Sequence, residues 1–314
     1  MNLLWWAFGA VVFLGLTSTF ASFKILDYLQ KVARGRFAKH EGTWVDVSDA
    51  KIHYNIEGKG PVLVLIHGLG ASLFIWRLVS SRLAENFTVV TIDLPGFGFS
   101  SKDSSLDYGL DAQTRRMIEA LDALKIDEAT LVGSSMGGAL ALWLARENPK
   151  RFRNVIAMAP ATSPSLVPRF ILPFETLAPI FRPAAPLVHK TFNSHTMKLL
   201  ASRVLYNQSL LTDDAIAAYL RPFLEDPQSM HTFWRAVDLI RDRRLPSELK
   251  VVSSRVLILW GEHDKLVPRS CMTELLDILP NKEFRTHKEC GHHPMEDQPD
   301  WVIAECERFL RVKI

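Results

Sequence analysis

Short apolar runs alternate with helical patterns along most of the chain from residue 44 onwards. The run Val62 to Ile66 is apolar on both faces, which is typical of a central strand in a parallel sheet. Further strands are predicted at Trp44 to Val47, Lys51 to Glu57, Thr88 to Ile92, Ala129 to Val132, Val155 to Met158, Val256 to Trp260 and Glu283 to Thr286. Helical patterns lie at Leu73 to Glu85, Leu110 to Leu124 and Gly138 to Glu147. This alternation predicts an α/β fold with a mostly parallel, doubly wound sheet covered on both faces.

The alternation breaks between residues 161 and 249. The first part of this region is rich in proline, at Pro164, Pro168, Pro173, Pro179, Pro183 and Pro186. Helical patterns follow at Asp213 to Phe223 and Gln228 to Arg241. Because structureless stretches of this length are rare in compact domains, we predict an inserted helical lid, residues 161–249, between the two core segments 44–160 and 250–314. Its bulky apolar residues either cover a site or seat the insertion on the core, and the pattern fits both.

The amino terminus carries an unbroken, mostly apolar run without charge, Leu3 to Phe23. A helix of this length spans a hydrocarbon core of about 30 Å, so residues 1–23 are predicted to form a transmembrane anchor, followed by a basic linker, residues 24–43. The basic residues that follow the run predict that the rest of the chain lies in the cytoplasm. The alternative is a signal peptide cleaved near Thr19 to Ala21, which would leave a periplasmic or secreted domain.

The charge balance argues against a nucleic-acid partner, and the cysteine content argues against a disulfide framework. The chain has 37 basic and 34 acidic residues, a net charge of +3 and no long basic run, so a nucleic-acid interface is not indicated. A small-molecule partner fits this composition better. The cysteines form no CxxC pair, so a disulfide framework is not expected; they are Cys271, Cys290 and Cys306.

The segment GSSMG, Gly133 to Gly137, lies between a predicted strand and a predicted helix. This context is that of a nucleophile elbow, in which a serine sits on a strained turn with its hydroxyl pointing out of the sheet. The flanking glycines let strand and helix approach without Cβ clashes. Ser135 is therefore the candidate nucleophile.

A serine nucleophile needs a base within hydrogen-bond reach, and the base needs an orienting carboxylate. Asp264 follows the predicted strand Val256 to Trp260, and His292 follows the short strand Glu283 to Thr286. The carboxyl ends of parallel strands meet at one crevice, which brings these residues together. The chain order serine, aspartate, histidine is the one expected for triads on this architecture.

Five motifs in this order resemble the α/β-hydrolase superfamily, and the resemblance runs from about Val45 to the carboxyl terminus. They are HGLG at His67 to Gly70, DLPGFGFS at Asp93 to Ser100, GSSMGG at Gly133 to Gly138, GEHDKLVP at Gly261 to Pro268 and GHHPMEDQP at Gly291 to Pro299. The resemblance implies Ser135 as nucleophile, Asp264 as orienting acid and His292 as general base. It also places the oxyanion-hole donors on the backbone amides of Leu69 and Met136.

Several residues near these motifs have simpler explanations. Ser134 occupies the variable position of the elbow, His263 is a turn residue, and Asp93 suits a turn at a strand end. His293 is the alternative base, but the pattern Gly-His-x-Pro favours its neighbour. His67 is expected to organise the oxyanion loop by hydrogen bonding.

Metal and cofactor sites are not indicated. His287, His293 and Glu296 lie near the proposed base, but no HExxH motif or cysteine pair accompanies them, so neither a metal nor a cofactor is expected. The spacing of His292 and Asp297 also matches a His-x-x-x-x-Asp pattern of some acyltransferases. The base-bearing loop already explains these residues.

The expected chemistry is hydrolysis of a small-molecule acyl ester through an acyl-enzyme. The predicted anchor and the apolar insertion favour lipid-like substrates that partition into membranes, and the arrangement resembles membrane-anchored monoacylglycerol lipases. The same triad is compatible with carbon–carbon bond hydrolysis, perhydrolysis and thioester cleavage. A hypothesis of another class is a membrane-tethered binding protein without catalysis, which the intact triad disfavours.

Overall fold

An eight-stranded sheet forms the centre of the protein in the computed structural model, which describes residues 43–163, 193–226 and 228–310. The strands are β1 (Thr43–Asp46), β2 (Lys51–Glu57), β3 (Val62–Ile66), β4 (Thr88–Ile92), β5 (Thr130–Ser134), β6 (Asn154–Met158), β7 (Arg255–Gly261) and β8 (Lys282–His287). Their spatial order is β1-β2-β4-β3-β5-β6-β7-β8. Strand β2 pairs antiparallel with β1 and β4, and every other pairing is parallel. The predicted, mostly parallel α/β sheet is confirmed.

Helices connect the strands and cover the sheet. Within the described residues they are α1 (Ser80–Leu83), α2 (Leu110–Ala123), α3 (Met136–Glu147), α4 (Ser194–Val204), α5 (Asp213–Glu225), α6 (Ser229–Ile240), α7 (Arg244–Glu248), α8 (Arg269–Ile278), α9 (Pro294–Asp297) and α10 (Pro299–Leu310). Short 3-10 turns lie at Leu73–Trp76, Gln208–Leu210 and Leu249–Val251.

Side chains of the central strands are buried on both faces. In β3, Val64 and Ile66 pack in a core shared with α2 and α3, whereas Leu63 and Leu65 pack in a second core shared with α10. A strand buried in this way has no polar face, and its sequence therefore reads as a continuous apolar run. This burial explains why the central strands could be predicted from apolar runs.

The prediction of one helix from Leu73 to Glu85 is wrong. The structure has a 3-10 turn at Leu73–Trp76 and then the separate short helix α1. The backbone leaves the helical region at Val79, where φ is −122°. The periodicity was misleading because both pieces bury apolar residues in the same core, namely Ile75, Trp76, Val79 and Leu83.

Helices α4 to α7 belong to the predicted insertion. Helices α4 and α5 share an apolar cluster of their own that includes Met197 and Leu220. Helix α6 packs into the sheet core through Ala236 and Leu239. Some apolar residues of the insertion therefore do seat it on the core. The proline-rich residues 164–192 lie outside the described residues, and the boundaries 161–249 stay a prediction.

The predicted transmembrane anchor, residues 1–23, lies outside the described residues, as does nearly all of the predicted linker, residues 24–43. Thr43 at its end begins β1. Within the part of the chain that the structure describes, no helix has the length and apolar character needed to span a bilayer.

Candidate active site

Ser135 lies on a tight turn between β5 and α3. Its backbone has φ 53° and ψ −117°, a left-handed conformation that is uncommon and strained for a residue with a side chain. The turn is held because the amide of Ser135 donates to the carbonyl oxygen of Met158 at 2.9 Å, and the carbonyl oxygen of Ser135 accepts from Ala161 at 3.0 Å. A Cβ at Gly133 would collide with the backbone of Gly137, which explains the glycine at that position. The predicted strand–turn–helix geometry is present.

Asp264 and His292 form a hydrogen-bonded pair. Nδ1 of His292 lies 2.8 Å from Oδ2 of Asp264, and both side chains are almost fully buried. The other carboxylate oxygen of Asp264 accepts the amides of Leu266 and Val267 at 2.8 and 2.9 Å. Because an ionised carboxylate only accepts hydrogen bonds, Nδ1 carries the proton and Nε2 of His292 is left as an acceptor. This is the tautomer that a general base requires.

Ser135, Asp264 and His292 follow β5, β7 and β8, whose carboxyl ends share one edge of the sheet. Ser135 is half-buried and its hydroxyl makes no hydrogen bond to the His292 ring in the described structure. Catalytic hydrogen bonds of this type often tighten only when substrate is bound.

The HGLG loop packs directly against the elbow. A Cβ placed on Gly68 would lie 3.0 Å from Cβ of Ser135 and 3.7 Å from its Oγ. The amides of Leu69 and Met136 donate to no acceptor among the described residues. Met136 is the first residue of α3, so its amide has no partner within the helix. These two free donors beside Ser135 are suited to bind an oxyanion.

His67 holds the HGLG loop in place. Its Nδ1 donates to the carbonyl oxygen of Gly68 at 2.7 Å, and its Nε2 accepts the amide of Leu94 at 2.9 Å. This pattern requires a neutral imidazole. Burial lowers the pKa of His67, which keeps it in that form. Its place supports the organising role expected from the sequence.

The other neighbours are held in structural contacts. Asp93 is buried and accepts from Nδ1 of His53 at 2.7 Å and from the amides of Leu73 and Phe99 at 2.7 and 2.9 Å. Burial by itself raises the pKa of Asp93, but these hydrogen bonds keep it below its ordinary value. The ring of His263 lies 4.8 Å from that of Tyr206. These contacts agree with turn roles for Asp93 and His263.

His293 is engaged with a different carboxylate from that of His292. Its Nδ1 lies 2.7 Å from Oε2 of Glu296. The other carboxylate oxygen of Glu296, Oε1, accepts hydrogen bonds from Arg77 and Tyr219. Burial favours the neutral acid, yet the His293 bond and the Arg77 charge lower the pKa of Glu296 and keep it ionised. This group was not found from the sequence, because its members are far apart along the chain and carry no shared motif.

Asp297 connects the histidine loop to the insertion. Oδ2 of Asp297 accepts the amides of Gly291 at 2.8 Å and Tyr206 at 3.0 Å, and Oδ1 accepts the amide of Asn207 at 2.9 Å. These contacts account for the His-x-x-x-x-Asp spacing without a separate chemical role. No group of three or more His, Cys, Asp or Glu residues within the described ranges is arranged to hold a metal ion.

A small cavity lies where the HGLG loop meets the insertion. Its empty volume is about 270 Å³, open solvent included, and its apolar lining comes from both parts of the fold. Gly70, Ala71 and Phe97 line it from the core, and Pro222 and Phe223 line it from α5. The lining also includes polar groups, among them Lys102, so the space is a small crevice of mixed character.

Comparison with known proteins agrees with this geometry. Residues 61–299 match the sequence pattern of the alpha/beta hydrolase fold. The chain belongs to the α/β-hydrolase family. An uncharacterized hydrolase, YugF of Bacillus subtilis, is 29% identical over 266 residues, which cover 82% of this chain and 93% of that protein. The 2-hydroxy-6-oxo-6-phenylhexa-2,4-dienoate hydrolase of Burkholderia cepacia is 27% identical, covering 81% of this chain and 89% of that enzyme.

A solved structure is similar over a longer part of this α/β hydrolase. It is a membrane phospholipase A described as a bacterial virulence factor, with 26% identity and a TM-score of 0.70. The match covers 98% of this chain and 97% of that one. The family and its relatives identify the chain as a hydrolase in the general sense.

Proposed function

We propose that this hydrolase cleaves carboxylic esters through an acyl-enzyme on Ser135. The observation that most supports the proposal is the buried Asp264–His292 pair at the sheet edge that also carries the strained Ser135 turn. The free amides of Leu69 and Met136 supply the electrostatic part of the site. Strain, an oriented base and two free donors in one place are what acyl transfer requires.

In the proposed reaction, Nε2 of His292 takes the proton of Ser135 as Oγ attacks the ester carbonyl carbon. The carbonyl oxygen becomes an oxyanion that accepts from Leu69 and Met136, and Asp264 stabilises the imidazolium. The imidazolium then gives its proton to the leaving alcohol oxygen as the C–O bond breaks. Water, activated by His292, attacks the acyl-enzyme and releases the acid and the free serine.

We propose lipid-like esters, monoacylglycerols or similar lipids, as the substrate class. The similarity to a membrane phospholipase A, and the apolar run Leu3 to Phe23, support an enzyme held at a membrane. A site at a bilayer surface meets such substrates without their crossing water.

Activity-based labelling tests the nucleophile. The full-length protein is treated with a fluorophosphonate probe, and turnover of a short p-nitrophenyl ester is measured alongside it. We expect labelling of the wild type and its loss, with a fall in turnover of about 10⁴-fold or more, in Ser135→Ala. Wild-type turnover in that variant would refute Ser135. A folded wild type that resists the probe would favour the binding protein without catalysis.

Carbon–carbon bond hydrolysis is the second candidate, because it is the activity named for the relative in Burkholderia cepacia. A panel of monoacylglycerols, phospholipids and ring-cleavage dienoates, each assayed with wild type and Ser135→Ala, separates the two. We expect the highest Ser135-dependent kcat/KM on a lipid ester. A preference for the dienoates by 100-fold or more would overturn the lipid proposal and leave the nucleophile in place.

A further inference from the structure

Tyr219, on the insertion helix α5, and Arg77, from the core, converge on one buried carboxylate of the histidine loop, that of Glu296. We propose that Tyr219 and Arg77 are positioning residues that hold His292 in register with Asp264, acting through Glu296 and His293. The insertion would then complete the catalytic site rather than only cover it. This inference rests on the proposed function, in which His292 is the base.

Three side-chain donors converge on the buried carboxylate of Glu296. Its side chain has no solvent exposure, and Oε1 accepts from Nη1 of Arg77 at 2.5 Å and from Oη of Tyr219 at 2.5 Å. Oε2 lies 2.7 Å from Nδ1 of His293. The donors are themselves packed, because the Arg77 guanidinium lies 4.2 Å from the Phe74 ring and that ring meets Tyr219 edge to face at 5.3 Å. Each donor therefore has little freedom to turn away.

The network reaches His292 through its neighbour. The imidazole rings of His292 and His293 stack with centroids 5.6 Å apart and an angle of 27° between their planes. Because Glu296 fixes the His293 ring, that ring blocks rotation of the His292 ring towards it. Its other restraint is the Asp264 bond. The two carboxylates thus fix adjacent rings from different directions.

The insertion also holds the backbone of the same loop. The amide of His292 donates to the carbonyl oxygen of Val204, at the end of α4, at 2.8 Å. Asp297 accepts amides from both the loop and the insertion, at Gly291 and Tyr206. A shift of α4 or α5 would therefore move the base, and a misplacement of about 1 Å typically costs about 100-fold in rate.

The ion pair between Glu296 and Arg77 does not by itself explain why these residues are buried together. Glu296 and Arg77 neutralise each other, and a buried ion pair contributes little to stability compared with apolar side chains of similar volume. Orientation of the loop is the property that an apolar substitute would lose. The proposal is therefore about geometry, and its test must separate geometry from stability.

Tyr219→Phe is the main variant, with Tyr108→Phe as the matched control. Both changes remove one buried hydroxyl; that of Tyr108 donates to the carbonyl oxygen of Asp103 at 2.8 Å, away from the histidine loop. In the full-length protein we expect Tyr219→Phe to lower kcat on a short ester about 10-fold with KM unchanged. The control should lower thermal stability and leave kcat unchanged. A Tyr219→Phe variant with wild-type kcat would overturn the proposal.

A double-mutant cycle with Glu296→Gln tests the route. If Tyr219 acts through Glu296, the loss of its hydroxyl should lower kcat far less in the Glu296→Gln background than in the wild type. Equal fold-changes in both backgrounds would mean that the phenol acts independently of Glu296, against the proposal.

A readout that needs no activity distinguishes this inference from the proposed function. The proton on Nδ1 of His292 is followed by NMR in the full-length chain in detergent, and is assigned by its loss in His292→Gln. We expect its signal to broaden and exchange faster in Tyr219→Phe but not in Tyr108→Phe. If the signal changes in this way but the wild-type protein hydrolyses no ester, the positioning of His292 is supported and the proposed ester hydrolysis is refuted. An unchanged signal would refute the positioning.

Discussion

Gly68 lies so close to the proposed nucleophile that a side chain at this position would contact Ser135. A Cβ there would lie 3.0 Å from Cβ of Ser135 and 3.3 Å from the carbonyl oxygen of Ser134, closer than ordinary packing. In Gly68→Ala, either the serine or the oxyanion loop must shift. We expect kcat on a short ester to fall about 100-fold, the scale of losing one oxyanion donor, with the variant still folded.

Gly109→Ala is the matched control for this prediction. Gly109 precedes α2, and a Cβ there would meet only the Asp107 carboxylate, at 3.3 Å and beyond. Its kcat should equal that of the wild type, while circular dichroism reports the fold of both variants. Equal kcat in Gly68→Ala would mean that the HGLG loop has no part in the reaction.

Residues that share a local motif could be found from the sequence, whereas residues joined only by the fold could not. Ser135, Asp264 and His292 each follow a predicted strand and carry family patterns within a few positions. Tyr219 and Glu296 meet across 77 positions, with no pattern around the tyrosine to indicate it. A tyrosine on an amphipathic helix is usually core packing, so its hydrogen bond became visible only in three dimensions.

At the scale of elements, the turn between β1 and β2 is tied to α2 by a forked ion pair. Oδ1 and Oδ2 of Asp49 accept from Nε and Nη2 of Arg116 at 2.7 and 2.9 Å, and the Arg116 side chain is 1% exposed. Asp49→Asn leaves that buried charge poorly paired. We expect the free energy of unfolding at pH 7 to fall by about 1–3 kcal/mol, measured by denaturant titration.

The loss of stability in Asp49→Asn should depend on pH, because it comes from the ionised carboxylate of Asp49. The hydrogen bond from Arg116 lowers the pKa of Asp49, so its contribution is present above the unfolded-state pKa of about 3.9 and is lost as pH falls below it. The difference between wild type and Asp49→Asn should be constant from pH 7 to about 5 and shrink below about 4. Asp46→Asn is the control, because the Asp46–Lys51 pair in the same hairpin is exposed and should contribute little. A deficit that grows on acidification would contradict this account.

Elements were predictable where burial alone sets the pattern. Strands β3 and β4 begin and end at the predicted residues, because both faces are buried and polar turns bound them. The segment after His67 was mistaken for one helix, since apolar periodicity reports which face is buried and not whether the backbone hydrogen bonds are continuous. Its first amide is also held from a distant strand end, because the carboxylate of Asp93 accepts the amide of Leu73 at 2.7 Å across 20 positions.

For the whole molecule, the proposed function depends on how its parts are joined. The carboxyl ends of β5, β7 and β8 carry the triad candidates, and the insertion contacts the histidine loop through Val204 and Tyr219. A segment that inserts in a bilayer would keep the hydrolase domain at the membrane surface. We propose that Leu3 to Phe23 is such a segment, with the catalytic domain in the cytoplasm, and a cleaved signal peptide as the alternative.

Arginines in the middle of that segment test the anchor. Each should cost about 2.5–3.5 kcal/mol of insertion free energy, so Val11→Arg with Leu14→Arg should release the full-length chain from carbonate-washed membranes. Turnover of a soluble short ester should stay at the wild-type level, while turnover of lipid in vesicles should fall at least 10-fold, because substrate must now be met from solution. The apolar control, Val11→Leu with Leu14→Ile, should remain in the membrane. A wild-type protein that is soluble and begins near residue 22 would establish the signal peptide instead.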